Sequence, residues 1–191
     1  ERLRGGQNIA LISDPDTPGI SDPGFYLVRE AAKAGIDVFT LPGATAFVPA
    51  LVTSGMPCDR FAFEGFLPQK KGRQTKLEAL RNELRTMIFY ESPRRLVKTL
   101  AQMAEVFGGK RPACVCREIS KIHEDCQRGT LESLAAHFSE QEPRGEIVLI
   151  VGGADPEEVA AEKNAVEESS EDMPRKKSKY QLKMERLKIE D

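Results

Sequence analysis

From residue 8 onward the chain alternates short apolar runs with segments of helical period, and loops rich in Gly and Pro separate them. No other feature restricts the fold as much, because a strand, helix, strand succession packs only as a sheet covered by helices. Asn8–Ser13 reads as a buried strand and Ile36–Leu41 as a second. Between them Phe25, Leu27, Val28, Ala31 and Ala32 recur at helical spacing, and Gly35 closes that helix. Pro42-Gly43 then turns the chain into a short apolar helix over Thr45–Ser54, stopped by Gly55. A parallel α/β arrangement is predicted for this first third.

The pattern continues beyond it. Phe61–Leu67 alternates as a strand or extended crossover, and Pro68 with Gln69-Lys70-Lys71-Gly72-Arg73 marks a boundary. Lys76–Arg85 is predicted as a helix and Thr86–Tyr90 as a strand. Arg94–Phe107 is predicted as an amphipathic helix with Leu96, Val97, Leu100, Met103, Ala104 and Phe107 inward. Ala113–Ile119 reads as a strand, His123–Thr130 as a segment that pairs with a neighbour, Leu131–Phe138 as a helix and Glu146–Val151 as the last strand. Three parts are expected: an incomplete N-terminal α/β domain over 1–68, a second α/β domain over 69–153, and a charged, mostly disordered tail over 154–191.

Charge follows the same division. Residues 69–128 hold fourteen bases against seven acids, whereas 155–172 hold one base and eight acids. A basic sector in the second part suits an anionic partner, although a solvated face produces the same excess. No apolar run approaches the ~18 residues of a membrane span, so no membrane partner is expected. The opening residues Glu1–Gly6 lack the apolar core of a signal peptide, and a strand follows within a few residues, so the sequence reads as starting partway through a domain. Four cysteines without Cys-x-x-Cys suit a reducing cytoplasm. Cys114, Cys116, His123 and Cys126 do not have standard zinc spacing, so buried thiols are expected there and no metal.

Two loops carry the chemistry. The first, Ser13 to Gly24, leaves the carboxyl end of a predicted strand, where ligands lie in open α/β sheets. Asp14 and Thr17, nearest the strand end, read as ligand contacts; Ser21 and Asp22 read as caps of the following helix. The second loop, Leu41-Pro42-Gly43-Ala44-Thr45-Ala46, has small residues that let backbone amides approach a ligand, or makes a plain turn with Thr45 as N-cap. Together the loops suggest one pocket. Neither contains Gly-x-Gly-x-x-Gly or a P-loop, which argues against NAD and ATP.

These loops also carry a resemblance. Ser13-Asp14, followed by Thr17-Pro18-Gly19-Ile20-Ser21-Asp22-Pro23-Gly24, resembles the signature loop of the ribosomal RNA small-subunit methyltransferase I family. The likeness continues through Leu41–Ala46, Asp59-Arg60-Phe61, Phe63–Pro68, Phe89-Tyr90-Glu91-Ser92-Pro93, Arg117-Glu118-Ile119-Ser120-Lys121 and Gly145–Ile150, covering residues 2–152. Pro15-Asp16 departs from the family's usual Ala-Gly, Arg94 stands where His is common, and the family's opening strand and helix, with their glycine-containing loop, are absent.

The resemblance implies a two-domain tetrapyrrole methylase-like (class III methyltransferase) fold. It implies S-adenosylmethionine as cofactor and 2′-O-methylation of a cytidine in small-subunit ribosomal RNA, by a homodimer acting on the RNA or the subunit. It places Asp14, Thr17, Thr45, Ala46, Phe89, Tyr90, Gly145, Glu146 and Ile147 around the cofactor, and offers Glu91, Glu118 and Glu124 as general bases. Ion pairing with Arg95, Arg117 or Lys121 is the alternative role for those carboxylates. Lys70, Lys71, Arg73, Arg94, Arg95, Arg117, Lys121 and Arg128 would contact RNA phosphates. Phe63, Phe66 and Tyr90 could stack on a flipped base, or the two phenylalanines could be core or dimer contacts. Two other readings stay open: methylation of a small molecule such as a tetrapyrrole precursor, and a non-catalytic RNA-binding remnant.

Overall fold

The structure, a computed structural model, describes residues 1–13 and 17–171. The chain divides into two units between Ala154 and Asp155. The first is built on a five-stranded mixed sheet: β1 (Phe61–Phe66), β2 (Thr86–Glu91), β3 (Pro112–Arg117), β4 (Asp125–Thr130) and β5 (Ile147–Val151), in the order β1-β2-β5-β3-β4. β1 and β2 run parallel, and every other pairing is antiparallel. The sheet therefore crosses the position between residues 68 and 69 where the sequence suggests a boundary.

Period-two alternation divides the core between two sheet faces. Met87 and Phe89 of β2, Val115 of β3 and Leu149 of β5 pack against α3 (Arg73–Leu80), α4 (Pro93–Phe107) and α5 (Leu131–Glu140), through Leu77, Leu96, Leu100, Met103, Leu134 and Phe138. Ile88, Tyr90, Cys114, Cys116, Val148 and Ile150 face the other way, onto Ala50 and Leu51 of α2 (Phe47–Ser54). Strand β5 is buried on both faces, which is why its sequence is an unbroken apolar run. Each fully buried side chain there contributes roughly 1.5–3 kcal/mol of transfer free energy. Thr130 and Ser133 form a reciprocal capping box at the start of α5.

The first third departs from expectation. α1 (Phe25–Lys33) and α2 form, but neither Asn8–Ser13 nor Ile36–Leu41 becomes a strand. A strand is defined by its ladder, and neither run finds a ladder partner among the described residues. Their apolar side chains stand in solvent instead, with Ile12 88% exposed and Phe39 87%.

In the second unit, α6 (Pro156–Glu171) replaces the start of the expected disordered tail. Asp155 Oδ1 accepts the Glu157 amide at 2.8 Å, and Pro156 occupies the first turn, where a missing N–H costs nothing. Residues 172–191 lie outside the described residues. Among the described residues no helix is long and apolar enough to cross a membrane.

Candidate functional site

A pocket of about 260 Å³ opens where the carboxyl end of β2 meets the start of β5. Tyr90 and Glu91 come from β2, Glu146, Ile147 and Val148 from the entry to β5, Ala46 from the start of α2, and Phe66 from the end of β1. Ile20, Ser21 and Asp22 of the first loop complete the wall. The pocket thus lies at the carboxyl ends of the one parallel strand pair, where open α/β sheets bind ligands.

A bulge puts Phe66 there. The β1–β2 register slips between Phe63 and Gly65, so one extra residue restores Phe66 to the face that Phe63 occupies. Both rings then meet Tyr90, at centroid distances of 5.3 Å for Phe63 and 5.6 Å for Phe66. Gly65, at φ 61°, makes the bulge possible, and a Cβ on it would come within 3.2 Å of Ser21 Oγ. A glycine inside an alternating strand was the available signal for this feature.

Ser21 and Asp22, read from sequence as helix caps, belong to the pocket instead. Gly24 is the N-cap residue of α1, with no side-chain cap bond. Asp22 accepts the Ser13 hydroxyl, and Ser21 adopts φ 58°. The two small-residue loops do meet: the Thr17 amide and hydroxyl both donate to the Ala44 carbonyl, at 3.2 and 3.0 Å. Thr17 and Thr45 stand outside the lining, and Ala46, not Thr45, takes the N-cap position of α2. Asp14, with Pro15 and Asp16, lies outside the described residues.

Of the other expected cofactor contacts, Tyr90, Glu146 and Ile147 line the pocket and Gly145 adjoins it. Phe89 does not: it points to the opposite sheet face and is 1% exposed in the core under α4. Strand alternation allows only one of two successive aromatics to face a given side.

The candidate bases are all engaged. Glu91 Oε1 accepts the Ser92 amide and Arg95 Nε at 2.6 and 2.8 Å, and Oε2 accepts Thr99 Oγ1 at 2.7 Å with Arg73 Nη2 at 3.8 Å. Glu118 Oε1 accepts the Glu146 amide at 2.7 Å and Lys121 Nζ at 3.1 Å. The Glu146 amide above all, and then the Lys121 ammonium, hold the Glu118 carboxyl below its ordinary range, which weakens it as a base. Glu124 accepts the Ser120 amide at 2.7 Å.

The basic residues separate into two groups. Lys70, Lys71 and Arg94 are exposed. Arg73 is not available to a phosphate: it is buried, donating to Gln102 Oε1 at 2.7 Å, Thr99 Oγ1 at 2.6 Å and the Pro68 carbonyl at 3.2 Å. Arg95 is committed to Glu91, Arg117 to Asp125 at 3.2 Å, and Lys121 to Glu118 and Glu146. Arg128 donates to the Thr53 and Ser54 carbonyls at the end of α2, complementing the helix dipole.

Residues 1–135 match the family model of Tetrapyrrole (Corrin/Porphyrin) Methylases. The chain is 49% identical over 158 residues to a ribosomal RNA small subunit methyltransferase I of Synechocystis sp., covering 82% of this chain and 57% of that one. It is 51% identical over 156 residues to the protein of that name from Pseudomonas aeruginosa, covering 80% and 55%. The chain therefore spans about half the length of the curated relatives it matches. Among solved structures it resembles the methyltransferase CobJ, with TM-score 0.59 and 20% identity over 80% of this chain and 67% of that one. Uroporphyrin-III C-methyl transferase from Thermus thermophilus, complexed with S-adenyl homocysteine, gives TM-score 0.51 and 20% identity over 71% and 62%. At those identities the structures speak for the fold alone, and it is the same mixed α/β fold. The family match runs from residue 1 through β4 and into α5, taking in most elements of the pocket, so the chain belongs to the tetrapyrrole (corrin/porphyrin) methylases.

Proposed function

We propose that the chain is part of an S-adenosylmethionine-dependent enzyme that methylates a ribose 2′-hydroxyl of a cytidine in small-subunit ribosomal RNA. The observation that carries this reading is the pocket at the carboxyl end of β2, lined by the packed rings of Tyr90 and Phe66 and by Asp22 and Glu146. That set of side chains fits the cofactor: aromatic faces suit a planar adenine, and carboxylates accept from ribose hydroxyls and offset a positive charge. When bound, S-adenosylmethionine supplies a methyl group on a sulfonium, already activated for displacement. The relatives at about half identity carry the name of a ribosomal RNA methyltransferase, which favours RNA over a tetrapyrrole substrate.

In this reading Ala46, Tyr90, Glu146 and Ile147 bind the cofactor, and Asp14, Thr17, Thr45 and Gly145 complete its surroundings. Alignment of the hydroxyl with the methyl group supplies most of the rate. Glu91 borders the pocket, and its bonds to Arg95 and Thr99 fit an orienting role better than proton abstraction. Lys70, Lys71 and Arg94 supply the exposed charge for RNA phosphates. A ribosomal RNA substrate implies a cytoplasmic place of action. A homodimer belongs to the same reading, and the exposed side chains of Ile12, Phe39 and Leu41 offer apolar area for the contact. Sedimentation equilibrium tests for the dimer.

The deciding experiment is titration calorimetry with S-adenosylhomocysteine, followed by transfer of labelled methyl to small-subunit RNA or to uroporphyrinogen. Binding and transfer to RNA are expected. Transfer to uroporphyrinogen alone overturns the substrate. A folded chain that does not bind S-adenosylhomocysteine overturns the cofactor and favours an RNA-binding remnant.

A further inference from the structure

The segment between β3 and β4 holds two of the three non-glycine residues with positive φ among the described residues: Glu118 at 49° and Ser120 at 62°. Backbone in that region is strained for residues with a Cβ, and it persists where the surroundings over-determine it. Here the surroundings are one residue of the pocket wall. The Glu118 amide donates to the Glu146 carbonyl at 3.0 Å, while the Glu146 amide donates to Glu118 Oε1 at 2.7 Å. Glu118 thus takes both backbone groups of Glu146. Lys121 Nζ closes the arrangement, reaching Glu118 Oε1 at 3.1 Å and Glu146 Oε2 at 3.0 Å.

Two further contacts fix the same unit. Gly145 adopts φ 82°, and a Cβ added there would overlap the Glu118 carboxyl, so only glycine lets that carboxylate close over the peptide. From the other end of the segment Glu124 accepts the Ser120 amide, and the Glu124 amide donates to the Lys121 carbonyl at 3.1 Å. Glu118 itself is not part of the pocket lining, whereas Glu146 is. None of Glu118, Ser120 and Lys121 belongs to the buried core, so the strain is not explained by apolar packing.

We propose that Glu118 is a positioning residue: it fixes the Gly145–Glu146 peptide and thereby sets the edge of the pocket that receives the cofactor. The inference rests on the methyl-transfer reading above for the identity of that ligand. It replaces the role of general base that the sequence offered for Glu118, and it accounts for the lowered pKa of a carboxylate that accepts a backbone amide and an ammonium. Glu118 acts through Glu146 and touches no substrate.

The test uses the full chain and two variants. Glu118→Ala removes the acceptor, whereas Glu118→Gln keeps an acceptor for the Glu146 amide and loses the charge that holds Lys121. S-Adenosylhomocysteine affinity is measured by calorimetry, the Glu146 amide is followed by hydrogen exchange without ligand, and the thermal midpoint is recorded. Glu118→Ala is expected to weaken binding roughly tenfold, because ligand binding must then order the Glu146 backbone that Glu118 no longer fixes. Its midpoint should stay close to that of the parent chain and its Glu146 amide should exchange faster, with Glu118→Gln intermediate on both readouts. Parent-like affinity with a protected Glu146 amide in Glu118→Ala overturns the proposal. If Glu118→Ala does not fold, Glu118→Gln decides: faster exchange with weaker binding supports the clamp, and no change in either overturns it. If the parent chain does not bind S-adenosylhomocysteine, the cofactor reading falls, and the Glu146 amide alone decides whether Glu118 holds the peptide.

Discussion

Glu91 ends β2 with its side chain 2% exposed and still finds a partner for both oxygens. Arg73, eighteen residues earlier, is nearly as buried and reaches Glu91, Thr99 and Gln102 together. Removing one member of such a buried pair leaves an uncompensated charge, which costs about 3 kcal/mol. Arg73→Met is therefore expected to lower unfolding stability by about that amount in urea titration, although methionine keeps much of the packing volume. A fall below 1 kcal/mol would show that Arg95 and Thr99 alone satisfy the carboxylate. Glu83 forms an ion pair nearer the surface. Its bidentate bonds to the Arg85 side chain, with the Arg85 amide, bring its pKa from 4.5 down to about 2. A lowered carboxyl pKa contributes stability that is complete above the unfolded value and lost as pH falls through the folded one. The destabilisation by Glu83→Gln should therefore be constant above about pH 4.5 and disappear towards pH 2 in acid denaturation. A pH-independent difference would remove Arg85 as the cause. At this scale the local sequence does not show which side chains a charged residue will meet. Glu91 and Arg73 read as a base and a phosphate contact because nothing local announces that α3 folds Arg73 inward against α4.

At the scale of elements, what was legible depended on whether a segment finds its partners among the described residues. From Phe61 to Val151, strands and helices form within a few residues of their sequence bounds, because each apolar face meets a neighbour on the same sheet. α3 shows the limit of that precision: it runs Arg73–Leu80 where the pattern suggested Lys76–Arg85, and the ion pair of Arg73 draws its start forward. Asn8–Ser13 and Ile36–Leu41 have strand composition without a ladder, and composition alone cannot make one. Backbone amides without a ladder open at little cost. Hydrogen exchange should accordingly be fast across residues 8–13 and 36–41 and slowest in β2 and β5, with limited proteolysis cutting first in the same two runs. Slow exchange in either run would mean that it pairs in solution, with a second copy or with the other run. The bulge at Gly65 was equally hard to read. A register shift depends on the neighbouring strand, and the single glycine only permits it.

The whole molecule joins a pocket with carboxylates in its wall to a basic sector, and the sector is smaller than its charge count suggests. Of the eight basic residues that sequence assigned to phosphates, Arg73, Arg95, Arg117, Lys121 and Arg128 are bound to partners within the chain. Lys70, Lys71 and Arg94 remain exposed, so under the proposed reading they are the residues that would attract an RNA strand. Phosphate contacts release counterions, and each contributes about 0.7 to the slope of log affinity against log salt on single strands. Lys70→Ala with Lys71→Ala should therefore weaken binding of a small-subunit RNA fragment at every sequence tested and reduce that slope by about 1.4. Adding Arg73→Ala should leave the slope where the double variant put it and lower the thermal midpoint, because Arg73 serves the interior. S-Adenosylhomocysteine affinity should not change in the double variant, since neither lysine lines the pocket. Fluorescence anisotropy at four or five salt concentrations measures the slope, and an unchanged value in the double variant would assign both lysines to a solvated turn and leave Arg94 as the exposed contact.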